Sequence, residues 1–321
     1  MRKFPEIAVL SALLIVSGHA ALTQEFPNHP VRITSPYPSG SGPDVAVRLI
    51  ADELSKIWKQ PVVLEAKPGG DGVVAINAVK TKPRNGYELL VLGNGHLSIN
   101  PNIKTDLSYD AQKDFEPVGL IYNVPYFVAV SAQSPWQSMS DLITAAKKGA
   151  VKVSYGSPYV SSPSHLGSAL LAHLIGTEML HVPFKETTQW FTGVARGDVD
   201  WSLGTLATMR PMLDSHLLRL LAVAQERRSP DQPAVPTVAE AGGPQNYVVE
   251  AWLGLVVMSG VPAATVQRLN QDLVRVLSDP AIKTRIAKMG FDPLPGAPQT
   301  MVDLIKADTA RYREVAKMIN H

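Results

Sequence analysis

Short apolar runs alternate with helix-patterned segments along most of the chain, and two of those runs are too long for that rhythm. Val31 to Ser35, Val62 to Glu65 and Glu88 to Leu92 read as buried strands, and the first is followed by Ala46, Leu49, Ile50, Leu54 and Ile57 at helical spacing. The pattern returns with strands at Val151 to Tyr155, Leu180 to Pro183, Val199 to Leu203 and Leu218 to Val223. Helices at Asp141 to Lys148, His165 to Ile175 and Gln189 to Arg196 separate them. Alternation of this kind predicts parallel sheets covered by helices. Leu120 to Val130 and Val248 to Met258 exceed the usual strand of about five or six residues, and each reads as a crossover between lobes. The expected fold is α/β and two-lobed, each lobe a β-sheet flanked by helices and the two joined by two crossover strands. Residues 24–121 with a return over 246–321 make lobe 1, and residues 122–245 make lobe 2. Helix starts at Pro262, Asp279-Pro280 and Thr300 fill the C-terminal stretch.

The N-terminus has the pattern of an export signal. Arg2 and Lys3 precede the apolar run Ile7 to Val16, and Gly18, Ala20 and Ala21 offer small residues for cleavage, so residues 1–21 read as a removed signal peptide. The run is far shorter than the roughly 20 residues of a spanning helix. The chain has no cysteine, which excludes lipid attachment through a thiol, disulfides and thiolate metal sites. Lys and Arg number 30 against 28 Asp and Glu, so no basic field recruits nucleic acid. The expected product is periplasmic and monomeric.

One feature occurs twice. A strand runs into Tyr37-Pro38-Ser39-Gly40-Ser41-Gly42-Pro43-Asp44 and then a helix; another runs into Ser157-Pro158-Tyr159-Val160-Ser161-Ser162-Pro163-Ser164-His165 and then a helix. The first N–H groups of a helix lack intrahelical partners and sit at the positive end of its dipole, so each loop is a candidate anion site. The same residues also suit ordinary capping. Asp44 either complements the helix dipole or orients loop donors, and His165 reads as a capping residue. Gly40-Ser41-Gly42-Pro43-Asp44-Val45 and Gly93-Asn94-Gly95-His96 both lack the third glycine of a dinucleotide fingerprint. Trp190 and Trp252 read as core or hinge packing. Neither a nucleophile elbow, a phosphate-binding P-loop nor a zinc-protease motif occurs, so no catalytic residue, metal or cofactor is expected.

With these residues in view the chain resembles the Bug family of periplasmic receptors that serve tripartite tricarboxylate transporters. The resemblance is carried by Pro36-Tyr37-Pro38 through Asp44, Pro68-Gly69-Gly70-Asp71-Gly72, Asn85-Gly86-Tyr87-Glu88-Leu89-Leu90, Asn100-Pro101 and Lys113-Asp114-Phe115-Glu116-Pro117-Val118. Ser164-His165-Leu166, His181-Val182-Pro183-Phe184-Lys185, Gly197-Asp198-Val199-Asp200, Val235-Pro236-Thr237-Val238 and Trp252-Leu253-Gly254-Leu255 continue it in order. It implies the type II periplasmic binding protein fold and a receptor that closes on a small carboxylate, aromatic or dicarboxylic, and delivers it to integral membrane permease subunits. A sensor kinase is the alternative partner. The binding positions it implies are Ser39, Gly40, Ser41, Gly42 and Asp44 in the first loop and Ser157, Ser161, Ser162 and Ser164 in the second. Tyr37, Asn94, Tyr159, His165 and Thr205 complete the candidate set, with Tyr37 or Tyr159 against a ligand ring. Gly204-Thr205 stand where many members have Asp-Asn, and without that carboxylate an amino acid is a poor fit.

Overall fold

The computed structural model describes residues 26–149, 152–158, 162–184 and 187–319. The expected signal peptide lies outside them, as do Tyr159 and Ser161 of the candidate set. In chain order the elements are β1 (Val31–Ser35), α1 (Gly42–Trp58), β2 (Val62–Ala66), α2 (Val73–Lys80), β3 (Glu88–Gly93), α3 (Asn100–Ile103), β4 (Phe115–Pro125), β5 (Phe127–Ser131), α4 (Met139–Lys148), β6 (Ser154–Ser157), α5 (Pro163–Leu174) and β7 (Leu180–Pro183). They continue with α6 (Thr187–Arg196), β8 (Trp201–Gly204), α7 (Leu206–Asp214), β9 (Leu218–Val223), β10 (Glu250–Met258), α8 (Ala263–Ser278), α9 (Pro280–Lys288), β11 (Asp292–Pro293) and α10 (Pro298–Ile319).

Two sheets result, one per lobe. The first has strand order β11-β4-β10-β3-β1-β2 and the second β7-β6-β8-β5-β9. Both are mixed, where wholly parallel sheets were expected. β1 pairs in parallel with β2 and β3, but β10 runs antiparallel to β3 and β4, and β5 antiparallel to β8 and β9. β5 and β10 are the strands that enter from the opposite lobe, and a chain arriving from there meets the sheet from the other end; the two-residue β11 also runs antiparallel, to β4. The apolar run at 120–130 is two strands, since pairing in the first sheet ends at Pro125 and pairing in the second begins at Phe127. Backbone bonds knit the crossing: Tyr126 N–H donates to the Val249 carbonyl, Val249 N–H to that of Ala224, and Ala224 N–H to that of Tyr126.

Strand alternation sorts the cores. Leu89 and Val91 face α1 and α8 through Leu49, Ile50, Leu269 and Leu273, while Leu90 and Leu92 face α2 and α10 through Ile76, Met301 and Ile305. In the second lobe Val128, Tyr155 and Trp201 pack on α4 and α5, and Phe127 and Ala129 pack on α6 and α7. The C-terminal helix α10 spans both: Met301 and Ile305 sit in the first lobe's core, and Tyr312 and Val315 in the second's. Between them Asp308 accepts from Trp252 Nε1 at 2.7 Å and pairs with Arg311 at 2.7 Å. Among the described residues no helix is long and apolar enough to cross a membrane.

Candidate functional site

The β1–α1 and β6–α5 loops leave the carboxyl ends of their strands, where ligands of α/β sheets bind. A cavity of about 890 Å³ lies against the first lobe, lined by Pro36 to Pro38, Pro68 to Gly72, Asn94 to His96, Asn100 and Lys104, and closed on one side by Pro163 of the second lobe. A smaller one of about 190 Å³ is lined by Tyr126, Pro158, Ser162, Pro163, Ser164, Trp190, Thr205 and Thr208. Pro163 lines both, so the two cavities meet in one cleft between the lobes.

A third cavity, of about 900 Å³, lies beside the crossover strands and is lined by Asn123, Gln225, Glu250, Lys283, Asp292 and Arg311 among others. No described residue of either strand-to-helix loop lines it. Its lining mixes acids, Glu226, Asp231, Glu250 and Asp292, with bases, Arg227, Arg228, Lys283 and Arg311, and burial, with the charges of Asp231 and Glu250, pushes the Asp292 carboxyl up to about 6. The cleft, which residues of both loops border, is the better candidate for a carboxylate.

The first loop satisfies itself. Gly40 N–H donates to Asp44 Oδ2 at 2.9 Å, Ser41 Oγ donates to the Pro38 carbonyl at 2.7 Å, and Asp44 N–H donates to Ser41 Oγ at 3.4 Å. Asp44 is 1% exposed and also takes two bonds from Arg48, at 2.9 and 3.2 Å. Burial raises its pKa, and the hydrogen bonds and charge of Arg48 and the Gly40 amide outweigh that and hold the carboxyl below its ordinary value. The amino end of α1 thus carries a built-in anion. Of this loop's candidates Tyr37 lines the large cavity, edge-on to His96 at 5.8 Å between ring centres, whereas Ser39, Gly40, Ser41, Gly42 and Asp44 do not line it. Asn94, at the end of β3, also lines it and donates to the Glu250 carbonyl at 2.8 Å.

The second loop is built differently. Ser162 caps α5 by accepting from His165 N–H at 3.1 Å, so the third helical position holds histidine where α1 has aspartate. Burial, with the His181 charge behind it, pushes His165 down to about 4, and burial lowers His181 as well. The two rings lie 4.0 Å apart, and His181 stacks on Tyr155 at 5.2 Å. Ser157 Oγ is 2.7 Å from His181 Nε2. Ser157, Ser162 and Ser164 are all buried, and Ser162 and Ser164 line the small cavity. Neither the N–H nor the hydroxyl of Ser164 has a hydrogen-bond partner among the described residues. Thr205 lines the same cavity while capping α7 in a reciprocal pair with Thr208. Trp190, whose Nε1 donates to Ser202 Oγ at 2.7 Å, forms part of the wall.

His96 and Lys104 line the cleft, and His181 stands behind it against Ser157 and His165, without having been singled out from the sequence. His181 arrives through the Tyr155–His181 register of β6 and β7, which no local spacing encodes. Lys104 is ion-paired with Asp71, the only carboxylate among the described residues lining the cleft. The site can hold an anion on neutral donors at a helix end.

Known proteins agree with this architecture. The family model described as "Tripartite tricarboxylate transporter family receptor" matches residues 46–321. A UPF0065 protein of Bordetella bronchiseptica is 31% identical over 96% of this chain and 91% of its own. Rpa4515 of Rhodopseudomonas palustris, solved with adipate, superposes with a TM-score of 0.74 at 30% identity, covering 92% of this chain and 98% of that one. MatC of the same organism, solved with bound malate, gives 0.70 at 27% identity over 91% and 100%. The two-lobed fold, the paired loops on one cleft and the match over most of the chain place this protein in the tripartite tricarboxylate transporter receptor family.

Proposed function

We propose that the protein captures a small carboxylate in the periplasm, seats one carboxylate group on the amino end of α5, and delivers the closed complex to integral membrane permease subunits. The observation that carries this reading is Ser164, 2% exposed, which lines the cleft in the first turn of α5, where no acidic residue stands. A carboxylate there gains charge-assisted bonds of about 1.5–3 kcal/mol each and the favourable end of the helix dipole. Two or three such bonds with apolar contact from Tyr37 and Trp190 suffice for micromolar binding, about 8.2 kcal/mol.

Asp71, the one lining carboxylate, is already paired with Lys104, and Thr205 rather than an acid stands at the end of β8. Among the described residues a ligand ammonium therefore has no free carboxylate to pair with, which favours acids without an amino group. Calorimetry against adipate, malate, benzoate, glutamate and aspartate tests the class. Binding of one or more of the first three is expected, and binding confined to glutamate and aspartate contradicts it.

A further inference from the structure

His96 sits in a π-type turn, Gly95–Ile99, directly after β3; such turns recur at functional sites because the extra residue re-aims a side chain. His96 is 9% exposed and lines the large cavity. Gly93 N–H donates to His96 Nδ1 at 3.2 Å. A backbone N–H can only donate, so Nδ1 carries a lone pair and the proton of the neutral ring is fixed on Nε2.

No protein acceptor meets that Nε2–H among the described residues. The Cδ2–Nε2 edge faces Gly72, where a Cβ would lie 2.2 Å from Cδ2 and 2.6 Å from Nε2. Only glycine at 72 lets the ring sit where it does, packed against that backbone at the cavity's edge. The groups around the ring are Tyr37, edge-on at 5.8 Å, Tyr109, whose hydroxyl donates to the His96 carbonyl at 2.7 Å, and the Asp71–Lys104 pair. Burial dominates them and pushes the imidazole down to about 4, with Asp71 and the Gly93 contact opposing and Lys104 assisting.

We infer that His96 is a specificity-determining residue: its Nε2–H, fixed by Gly93, is an uncharged donor for a second oxygen-bearing group of the ligand, held on the first lobe while α5 holds the first carboxylate. This rests on the carboxylate-receptor reading above and adds to it a preference for dicarboxylates over monocarboxylates of equal length. The α5 site supplies the shared interaction, and His96 supplies the difference.

Two substitutions separate the ring's two nitrogens. In His96→Asn the amide oxygen can still accept from Gly93, but the Nε2 donor is gone. In His96→Gln an amide N–H reaches toward the Nε2 position. The experiment measures dissociation constants by calorimetry for adipate against hexanoate and malate against 2-hydroxybutyrate, on whichever pair binds more tightly, with melting temperatures alongside. The expected result is that His96→Asn weakens dicarboxylate binding about tenfold and leaves the monocarboxylate within about twofold, while His96→Gln retains most of the preference. An unchanged preference in His96→Asn overturns the inference while leaving the receptor reading intact; failure of wild type to bind any of the four probes overturns the inference, and the receptor reading falls with it only if benzoate is silent too. Should His96→Asn not fold, the ¹⁵N imidazole spectrum of wild type decides. An Nε2-protonated signal that shifts on adding the dicarboxylate supports the inference, and an Nδ1-protonated or unshifted signal overturns it.

Discussion

The two strand-to-helix loops look alike in sequence and differ in what they do with a helix's positive end. Both are capped by serine, Ser41 and Ser162, and both have proline or glycine in the first turn. At the third helical position the first loop carries Asp44, a buried carboxylate held by Gly40 and Arg48. The second carries His165, buried and neutral, beside the unpartnered Ser164. One helix end holds its own anion, and in the function proposed above the other is the place for a ligand's. The resemblance of the two loops implied two equivalent grips; the proposal makes α5 the grip and α1 a stable wall.

The largest predicted effect comes from making the loops alike. His165→Asp places a carboxylate at the third position of α5, where acids suit a helix, so the melting temperature should hold or rise. Carboxylate binding should fall on the order of 100-fold, or ~2.7 kcal/mol, through like-charge repulsion in a buried site. Retained affinity would show that α5 does not carry the anion. The converse change, Asp44→Asn, should cost about 2 kcal/mol of stability by removing the charged acceptor from Gly40 and Arg48, read by chemical unfolding, with affinity altered less than about threefold. A large affinity loss with unchanged stability would reverse the roles of the two loops.

Ser162→Ala and Ser41→Ala should each lose about 1 kcal/mol of stability as lost caps. Only the first should also weaken binding, by about 0.5–1.5 kcal/mol, because its hydroxyl organises the loop that meets the ligand. Equal effects on binding would erase the asymmetry. The smallest expected effect is that of pH. His96 and His165 are both pushed down to about 4, so both are neutral in the free protein from about pH 6.5 to 8 and take no part in charge pairing. Affinity for adipate should change less than about twofold across that window, and a tenfold fall with rising pH would show that a cationic histidine pairs with the ligand.

Much of the fold was legible because burial leaves plain marks. Val31–Ser35 and Leu218–Val223 occur where their apolar runs stand. The mixed strand directions were not legible, since they depend on which lobe a strand comes from. The break at Tyr126 could have been read from Pro125, which cannot donate to a ladder. Thr205 begins a helix, α7, that Pro211 disguised by sitting inside it. At the site, the Asp44–Arg48 pair was readable as a contact four residues apart on one helix. His181 and His96 were not, because strand register delivers the first and a π-turn the second.

The central claim is that the ligand's carboxylate rests on the amino end of α5. A crystal structure with bound adipate tests it most directly. The account predicts a carboxylate oxygen within hydrogen-bonding distance of both the N–H and the hydroxyl of Ser164, with Asp44 still bonded to Gly40 and Arg48. A carboxylate seated instead on the amino end of α1, with Asp44 displaced and Ser164 uncontacted, would contradict it.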